Sequence, residues 1–205
     1  MSLIVLCVSS FLIALSGALV PGPLFTLTVS ESARRGAATG PLIILGHGLL
    51  EIMIIVLVLS GLSPFLRHDT TRQLISLVGG CMLVVMGILL LRDAPKARLD
   101  RPAEDKEKGM NLIVTGIVGS ITNPYWVIWW ATIGLGYLVS SLRFGIVGVI
   151  VFFLGHISAD LAWYSLVSYA VSKGKRIIGE KGYRAILLFC GIFLILFGGW
   201  FIQSA

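Results

Sequence analysis

Long apolar segments alternate with short polar segments along the whole chain. The apolar segments fall at about residues 3–29, 38–62, 73–91, 111–138, 143–170 and 184–203. Each one is long enough to cross a hydrocarbon core of about 30 Å as a helix. The pattern therefore predicts an all-α integral membrane protein with six transmembrane helices.

The composition agrees with a location in the lipid bilayer. Of the 205 residues, 57% are hydrophobic and 13% are charged, whereas a soluble domain averages about 25% charged residues. The net charge of +6 does not indicate nucleic-acid binding, because the basic residues cluster in the loops together with most of the acids. Cys7, Cys81 and Cys190 lie in apolar segments without metal-binding spacing, so we interpret them as small buried side chains.

The distribution of Lys and Arg predicts the orientation in the membrane. Thirteen of the 16 basic residues lie in the loops after the first, third and fifth helices, and three lie in the opposite loops. An excess of basic residues marks cytoplasmic loops. We therefore expect a multi-pass protein of the cytoplasmic membrane with both termini outside and the loop 92–110 in the cytoplasm. No Lys or Arg precedes the first apolar segment, so we expect that segment to be a retained span and not a cleaved signal peptide.

The charged segment 92–110 divides the chain into two similar halves, residues 1–91 and 111–205. Gly-x-x-Leu-x-x-x-Gly occurs at 80–87 in the third helix and at 191–198 in the sixth, a spacing that permits close helix packing. Each half holds three helices, an odd number, so the second half must be inverted relative to the first. The sequence predicts a 3+3 inverted-topology repeat, which is typical of secondary transporters.

A second feature common to both halves is a pair of polar residues in a Gly-His-x-x-x-acid pattern. His47 and Glu51 form one pair in the second helix, and His156 and Asp160 form the other in the fifth. A spacing of four places both members of a pair on one helix face. Ionisable residues inside a membrane are costly and usually functional. We predict that the four side chains reach one central cavity, where they bind substrate or protons.

Both halves also carry a helix break in their first helix. The breaks are Pro21-Gly22-Pro23 and Asn123-Pro124. Proline removes a helical hydrogen bond, and the freed backbone groups are tolerated in a membrane chiefly beside a cavity. We therefore predict that the breaks, with the Asn123 side chain, line the site. The aromatic residues 125, 126, 129 and 130 follow the second break, and an interfacial belt is a slightly better interpretation for them than a substrate path.

The order and spacing of these motifs resemble the lysine exporter (LysE/RhtB) family of bacterial amino-acid exporters, including its homoserine/threonine branch. The resemblance rests on Pro21-Gly22-Pro23, Asn123-Pro124, Asp160 and the glycine pattern of the third helix, and it covers nearly the whole chain. It implies a carrier that exports amino acids or related small metabolites by proton antiport, without a cofactor and with no enzymatic activity.

Two other functions remain open at this stage. His47, Glu51, His156 and Asp160 supply two imidazoles and two carboxylates, which would suit a divalent-metal exporter for zinc or manganese. An intramembrane thiol-disulfide enzyme would need paired cysteines in the matching helices of each half. Cys81 and Cys190 occupy equivalent places in the third and sixth helices, but neither lies beside a helix break or an acid. The expected partners are a small-molecule substrate, protons and the lipid bilayer, and the architecture is compatible with a homodimer.

Overall fold

A computed structural model describes residues 2–62, 69–97 and 110–203. Within these ranges the chain is helical and contains no strand. The α-helices are α1 (Leu3–Ala18), α2 (Pro23–Arg35), α3 (Thr39–Leu57), α4 (Asp69–Asp93), α5 (Leu112–Ile121), α6 (Pro124–Trp129), α7 (Leu135–Ser141) and α8 (Gly145–Gln203). Two π-helical turns, Val58–Leu62 and Trp130–Gly134, follow α3 and α6, and short 3-10 turns follow α4 and α7.

Both helix breaks predicted from the sequence are present in the structure. Helices α1 and α2 are bent by 78° at the first break, and α2 begins with Pro23 in its first turn. At the second break, the Asn123 side chain accepts a hydrogen bond from the Tyr125 backbone N–H at 3.2 Å, and Pro124 begins α6. Proline suits this position because the first helical N–H has no partner within the helix.

The number of spans is not settled by helix length alone. Four described helical segments are long and apolar enough to cross a membrane, or five if α1 and α2 form one bent span. The prediction of six spans is not confirmed by this count, because α5 is short and residues Pro124–Gly174 form one stretch of 51 residues. Turns do interrupt the long stretches, since Gly145 (φ 61°) and Gly179 (φ 60°) adopt left-handed backbone conformations that favour glycine.

Element α8 comprises two helices joined by the turn at Gly179 and packs against α1, α2, α3 and α4, while α3 also packs against α5. Its crossing with α4 is close because glycines face each other's backbone. A Cβ atom on Gly80 would lie 2.7 Å from the Gly198 carbonyl oxygen, and one on Gly87 would lie 2.7 Å from the Gly191 carbonyl oxygen. The two glycine motifs therefore meet each other, as close packing requires.

The charged ends of several elements gather on one side of the bundle. Arg35 at the end of α2 donates a hydrogen bond to the Met110 carbonyl, and Arg184 of α8 donates one to the Ala97 carbonyl, each at 3.0 Å. These contacts hold both ends of the predicted linker 92–110 against the helices. Its central residues 98–109 lie outside the described residues.

The interpretation of the cysteines is partly wrong. Cys190 is buried and Cys7 is half-buried, but Cys81 is exposed. Cys81 lies on α4, whose outward face carries apolar residues such as Leu77 and Met82. In a membrane protein such a face contacts lipid, so an apolar side chain there needs no burial within the bundle.

Candidate functional site

The two Gly-His-x-x-x-acid pairs meet in the middle of the bundle. His47 and Glu51 come from α3, and His156 and Asp160 come from α8. One ligand atom from each residue lies within 4.8 Å of the other three, and all four side chains are buried. We refer to these four residues as the quartet. Each helix contributes one histidine and one acid because the spacing of four residues stacks them on one helix face.

Glu51 Oε1 is the central acceptor of the quartet. It lies 2.9 Å from His156 Nε2 and 3.2 Å from His47 Nε2, and it accepts a hydrogen bond from Trp130 Nε1 at 3.1 Å. Asp160 Oδ2 is farther away, at 3.4 Å from His156 Nε2 and 3.7 Å from His47 Nε2. Both histidines thus direct the same ring nitrogen, Nε2, toward both acids.

Ser120 on α5 fixes the orientation of the His47 ring. His47 Nδ1 lies 2.6 Å from Ser120 Oγ, and the same Oγ lies 2.7 Å from the Gly116 carbonyl oxygen. The hydroxyl group has a single hydrogen, and only one arrangement makes both contacts favourable. Ser120 donates to Gly116, and His47 Nδ1–H donates to Ser120. A neutral His47 therefore points the lone pair of Nε2 toward the carboxylates of the quartet.

The charges of the quartet need compensation by a cation. Two ionised carboxylates buried together are unfavourable unless they are paired, and no Lys or Arg lines the cavity among the described residues. Glu51 Oε2 and Asp160 Oδ2 have no hydrogen-bond partner within the described part of the chain. Protons on the histidines or acids, or a cationic ligand, would supply the missing positive charge.

A small cavity of about 50 Å³ lies beside the quartet. Its wall consists of Ala14, Gly17, Ala18, Leu24, His47, Glu51, Asn123, Tyr125, Trp126, Trp129, His156, Asp160 and Tyr164. Sites for small organic ligands usually measure about 300–1,000 Å³. The cavity is therefore too small for such a ligand in this conformation, although the small residues of α1 leave that wall without bulky side chains.

Of the nine predicted site residues, five line the cavity and four do not. The quartet and Asn123 line the cavity, whereas Pro21, Gly22, Pro23 and Pro124 do not. Gly22 still lies close to the wall, since a Cβ atom there would be 3.4 Å from Asn123 Nδ2. Pro124 packs on the opposite side, against Gly79 of α4. The two breaks therefore lie next to each other, and Asn123 is the residue of the breaks that lines the cavity.

The sequence analysis missed several residues of the site. Ser120, Trp130 and Tyr164 contact the quartet or the cavity, and the belt interpretation is wrong for Trp129 and Trp130, which are 5% and 1% exposed. The rings of Trp129 and His156 have centroids 4.8 Å apart. For the two tryptophans the only local signal was the break, because residues in the first turns after a break beside a cavity can point into it.

A family model described as LysE type translocator matches residues 15–205. The chain belongs to this family of transporters. The family model and the apolar helices together identify a multi-pass membrane protein.

Two curated proteins resemble the chain over most of its length. The "Chemotactic transduction protein ChpE" of Pseudomonas aeruginosa is 28% identical over 187 residues, which cover 87% of this chain and 88% of the relative. The "Putative amino acid efflux protein YcgF" of Bacillus subtilis is 20% identical over 181 residues, which cover 88% of this chain and 87% of the relative. No solved structure gives a significant match.

Proposed function

We propose that this translocator exports amino acids or related small metabolites across the cytoplasmic membrane in exchange for protons. The single observation that carries the proposal is the quartet, in which each half of the chain places one histidine and one acid beside the same buried cavity. The family match supports transport, and the name of one relative refers to amino acid efflux. The substrate class and the coupling to protons are our inference.

The contacts between the two halves support six spans in a 3+3 inverted-topology repeat. Gly46 on α3 packs against the Ile113 carbonyl of α5, and Gly155 on α8 packs against the Cys7 carbonyl of α1. Each of these glycines precedes the histidine of its pair, and each contacts the first helix of the opposite half. Such reciprocal contacts are expected if the halves are related by a two-fold axis in the membrane plane.

The same architecture supports a topology with both termini outside. Arg35 at the end of α2 and Arg184 within α8 contact the two described ends of the segment 92–110, and Arg34 and Lys96 line one common cavity, so these positive charges share one side of the bundle. An excess of basic residues favours the cytoplasmic side. Under this topology the cavity would lie between the two halves, at the depth where transporters of this class bind their substrates.

The polar atoms around the cavity suit a zwitterion. Glu51 Oε2 and Asp160 Oδ2 accept no hydrogen bond within the described residues and could accept one from an ammonium group. Trp126 Nε1 and Trp129 Nε1 are buried donors without a hydrogen-bond partner among the described residues. Asn123 uses its side-chain oxygen to cap α6, which leaves its amide N–H groups for a substrate carboxylate. The cavity has a volume of only about 50 Å³. We therefore propose that it opens alternately to each side of the membrane, to admit the substrate on one side and release it on the other.

Exchange follows from competition for the acids of the quartet. A substrate ammonium group and protons would neutralise the same carboxylates, and an empty, unprotonated quartet would leave two buried charges uncompensated. Return of the empty carrier across the membrane is therefore favourable only with protons bound. This constraint couples export of one solute to import of protons.

Counterflow in proteoliposomes tests the proposed substrate class. The purified protein is reconstituted in separate preparations with unlabelled amino acids, zinc or manganese inside, and entry of the same solute in labelled form from outside is measured. We expect transient accumulation of at least one amino acid, reduced in Glu51→Gln and unchanged in Asp93→Asn, which alters an exposed acid outside the site. Accumulation of zinc or manganese without any amino acid would contradict the proposal.

A further inference from the structure

We propose that the quartet is a binding site for a divalent transition-metal ion of the zinc type. The proposal rests on the arrangement of the four donor atoms and not on the substrate proposed above. Two imidazole nitrogens and two carboxylate oxygens form a ligand set that zinc accepts readily. Imidazole ligands favour zinc and similar transition metals over magnesium or calcium.

Four of the six distances between the donor atoms are close to those of tetrahedral coordination. Zinc binds imidazole nitrogen and carboxylate oxygen at about 2.0–2.2 Å, so neighbouring ligand atoms of a tetrahedron lie roughly 3.3–3.5 Å apart. In the quartet, the two Nε2 atoms lie 2.9 and 3.2 Å from Glu51 Oε1 and 3.4 and 3.7 Å from Asp160 Oδ2. Shifts of a few tenths of an ångström would make these four distances equal. All four donor atoms lie within 4.8 Å of one another, so a bound ion would also draw them closer together.

The surroundings of His47 also have the arrangement of a metal site, whereas His156 Nδ1 has no hydrogen-bond partner among the described residues. A histidine that ligates a metal through one ring nitrogen usually donates a hydrogen bond from the other. His47 does this through Nδ1–H to Ser120 Oγ, and the Ser120 hydroxyl in turn donates to Gly116. The hydrogen-bond network therefore directs the free lone pair of His47 Nε2 at the point where the two acids converge.

Charge balance favours a doubly charged occupant. The quartet with neutral histidines and two ionised acids carries two negative charges, and its cavity lining includes no Lys or Arg within the described ranges. One divalent cation neutralises it, as two protons would. Metal ions and protons therefore compete for the site, and metal affinity should fall as the pH is lowered. A bound ion would also join α3 to α8 and stabilise the folded protein.

Direct metal binding to the purified, tag-free full chain in detergent tests this proposal. Zn²⁺ binding is measured by equilibrium dialysis, and Co²⁺ binding is measured by the visible absorption of tetrahedral cobalt. We expect one saturable site per chain, which is lost in His47→Ala and Asp160→Asn. A variant with all three cysteines replaced by serine is measured in parallel, so that binding by thiols is recognised.

Ser120 and Ser158 provide a matched pair of substitutions. Ser158 lies in α8 two residues before Asp160, but its hydroxyl donates to the Gly155 carbonyl. We expect Ser120→Ala to weaken Zn²⁺ binding by about 10- to 100-fold, as removal of an outer hydrogen-bond partner does at other metal sites, and Ser158→Ala to leave it unchanged. Monodispersity and the metal-free melting temperature verify folding of each variant.

The absence of saturable binding in the wild type would overturn the proposal, and so would equal binding in the wild type and in folded Asp160→Asn. Because binding is measured without transport, the result is independent of the counterflow assay. Metal binding without amino-acid counterflow would refute only the proposed function, and counterflow without metal binding would refute only the metal site.

Discussion

Replacement of Gly155 by alanine should loosen the contact that holds His156 in the quartet. A Cβ atom at this position would lie 2.6 Å from the Cys7 carbonyl oxygen and 3.1 Å from Ser10 Cβ, whereas ordinary contacts begin at 3.4 Å. Helices α8 and α1 would therefore have to separate by roughly 0.8 Å. The backbone carbonyl cannot rotate away as a flexible side chain could, so overpacking should cost about 1–3 kcal/mol.

Thermal and denaturant unfolding of the detergent-solubilised protein measure this cost. A loss of 1–3 kcal/mol corresponds to about a 5- to 150-fold shift in the unfolding equilibrium. Gly199→Ala is the control, because it is also a helical glycine of α8, beyond the turn at Gly179, and a Cβ atom there would have no neighbour within 4 Å. We expect the control to unfold like the wild type or slightly later, since alanine favours helices over glycine.

A transport assay distinguishes a displaced His156 from a general loss of stability. Displacement of α8 from α1 should also move His156, so Gly155→Ala should transport more slowly even at temperatures where it remains folded. If Gly155→Ala and Gly199→Ala unfold alike and transport alike, the close approach of α8 to α1 is not a constraint. The account of why a glycine precedes each histidine would then be refuted.

Three further predictions concern the quartet and the topology. Asp160→Asn should give an inserted, monodisperse protein that shows no proton-coupled export and that exchanges substrate for substrate only if Asp160 serves the proton alone; wild-type rates with the same pH dependence would make Asp160 a structural residue. Trp130→Phe removes the N–H donor to Glu51 and should slow counterflow by about 10- to 150-fold, as loss of a hydrogen bond to a charged group costs roughly 1.5–3 kcal/mol, whereas the exposed Trp200→Phe should not. A cysteine placed within 92–110 of a cysteine-free protein should react with an impermeant thiol reagent only after the cells are opened, and labelling in intact cells would reverse the proposed orientation.

The helical class and the placement of the polar pairs could be predicted from the sequence because both rest on local rules. Apolar segments long enough to cross the hydrocarbon core of a bilayer predict transmembrane helices. A spacing of four residues places His47 beside Glu51 on one helix face. The recurrence of the pattern in the second half was sufficient to suggest that the pairs share one cavity. The structure places the four side chains within 4.8 Å of one another.

The supporting residues could not be predicted because their contacts depend on helix packing. Ser120 is 73 positions from His47, and Trp130 is 79 positions from Glu51. A serine and a tryptophan in an apolar helix have many other roles, and an aromatic residue near a helix end suits the interface equally well. The direction of Trp130 into the bundle follows from the break at Asn123 and the π-helical turn that begins at Trp130.

Proton movement coupled to solute movement tests the central claim most directly. Proteoliposomes that contain a pH indicator are given a gradient of the amino acid identified by counterflow, and the internal pH is followed in the wild type and in a Glu51→Gln, Asp160→Asn double variant. We predict that the wild type moves protons against the amino acid and that the folded double variant moves none. Equal proton movement in both proteins would contradict the assignment of the quartet as the site of exchange.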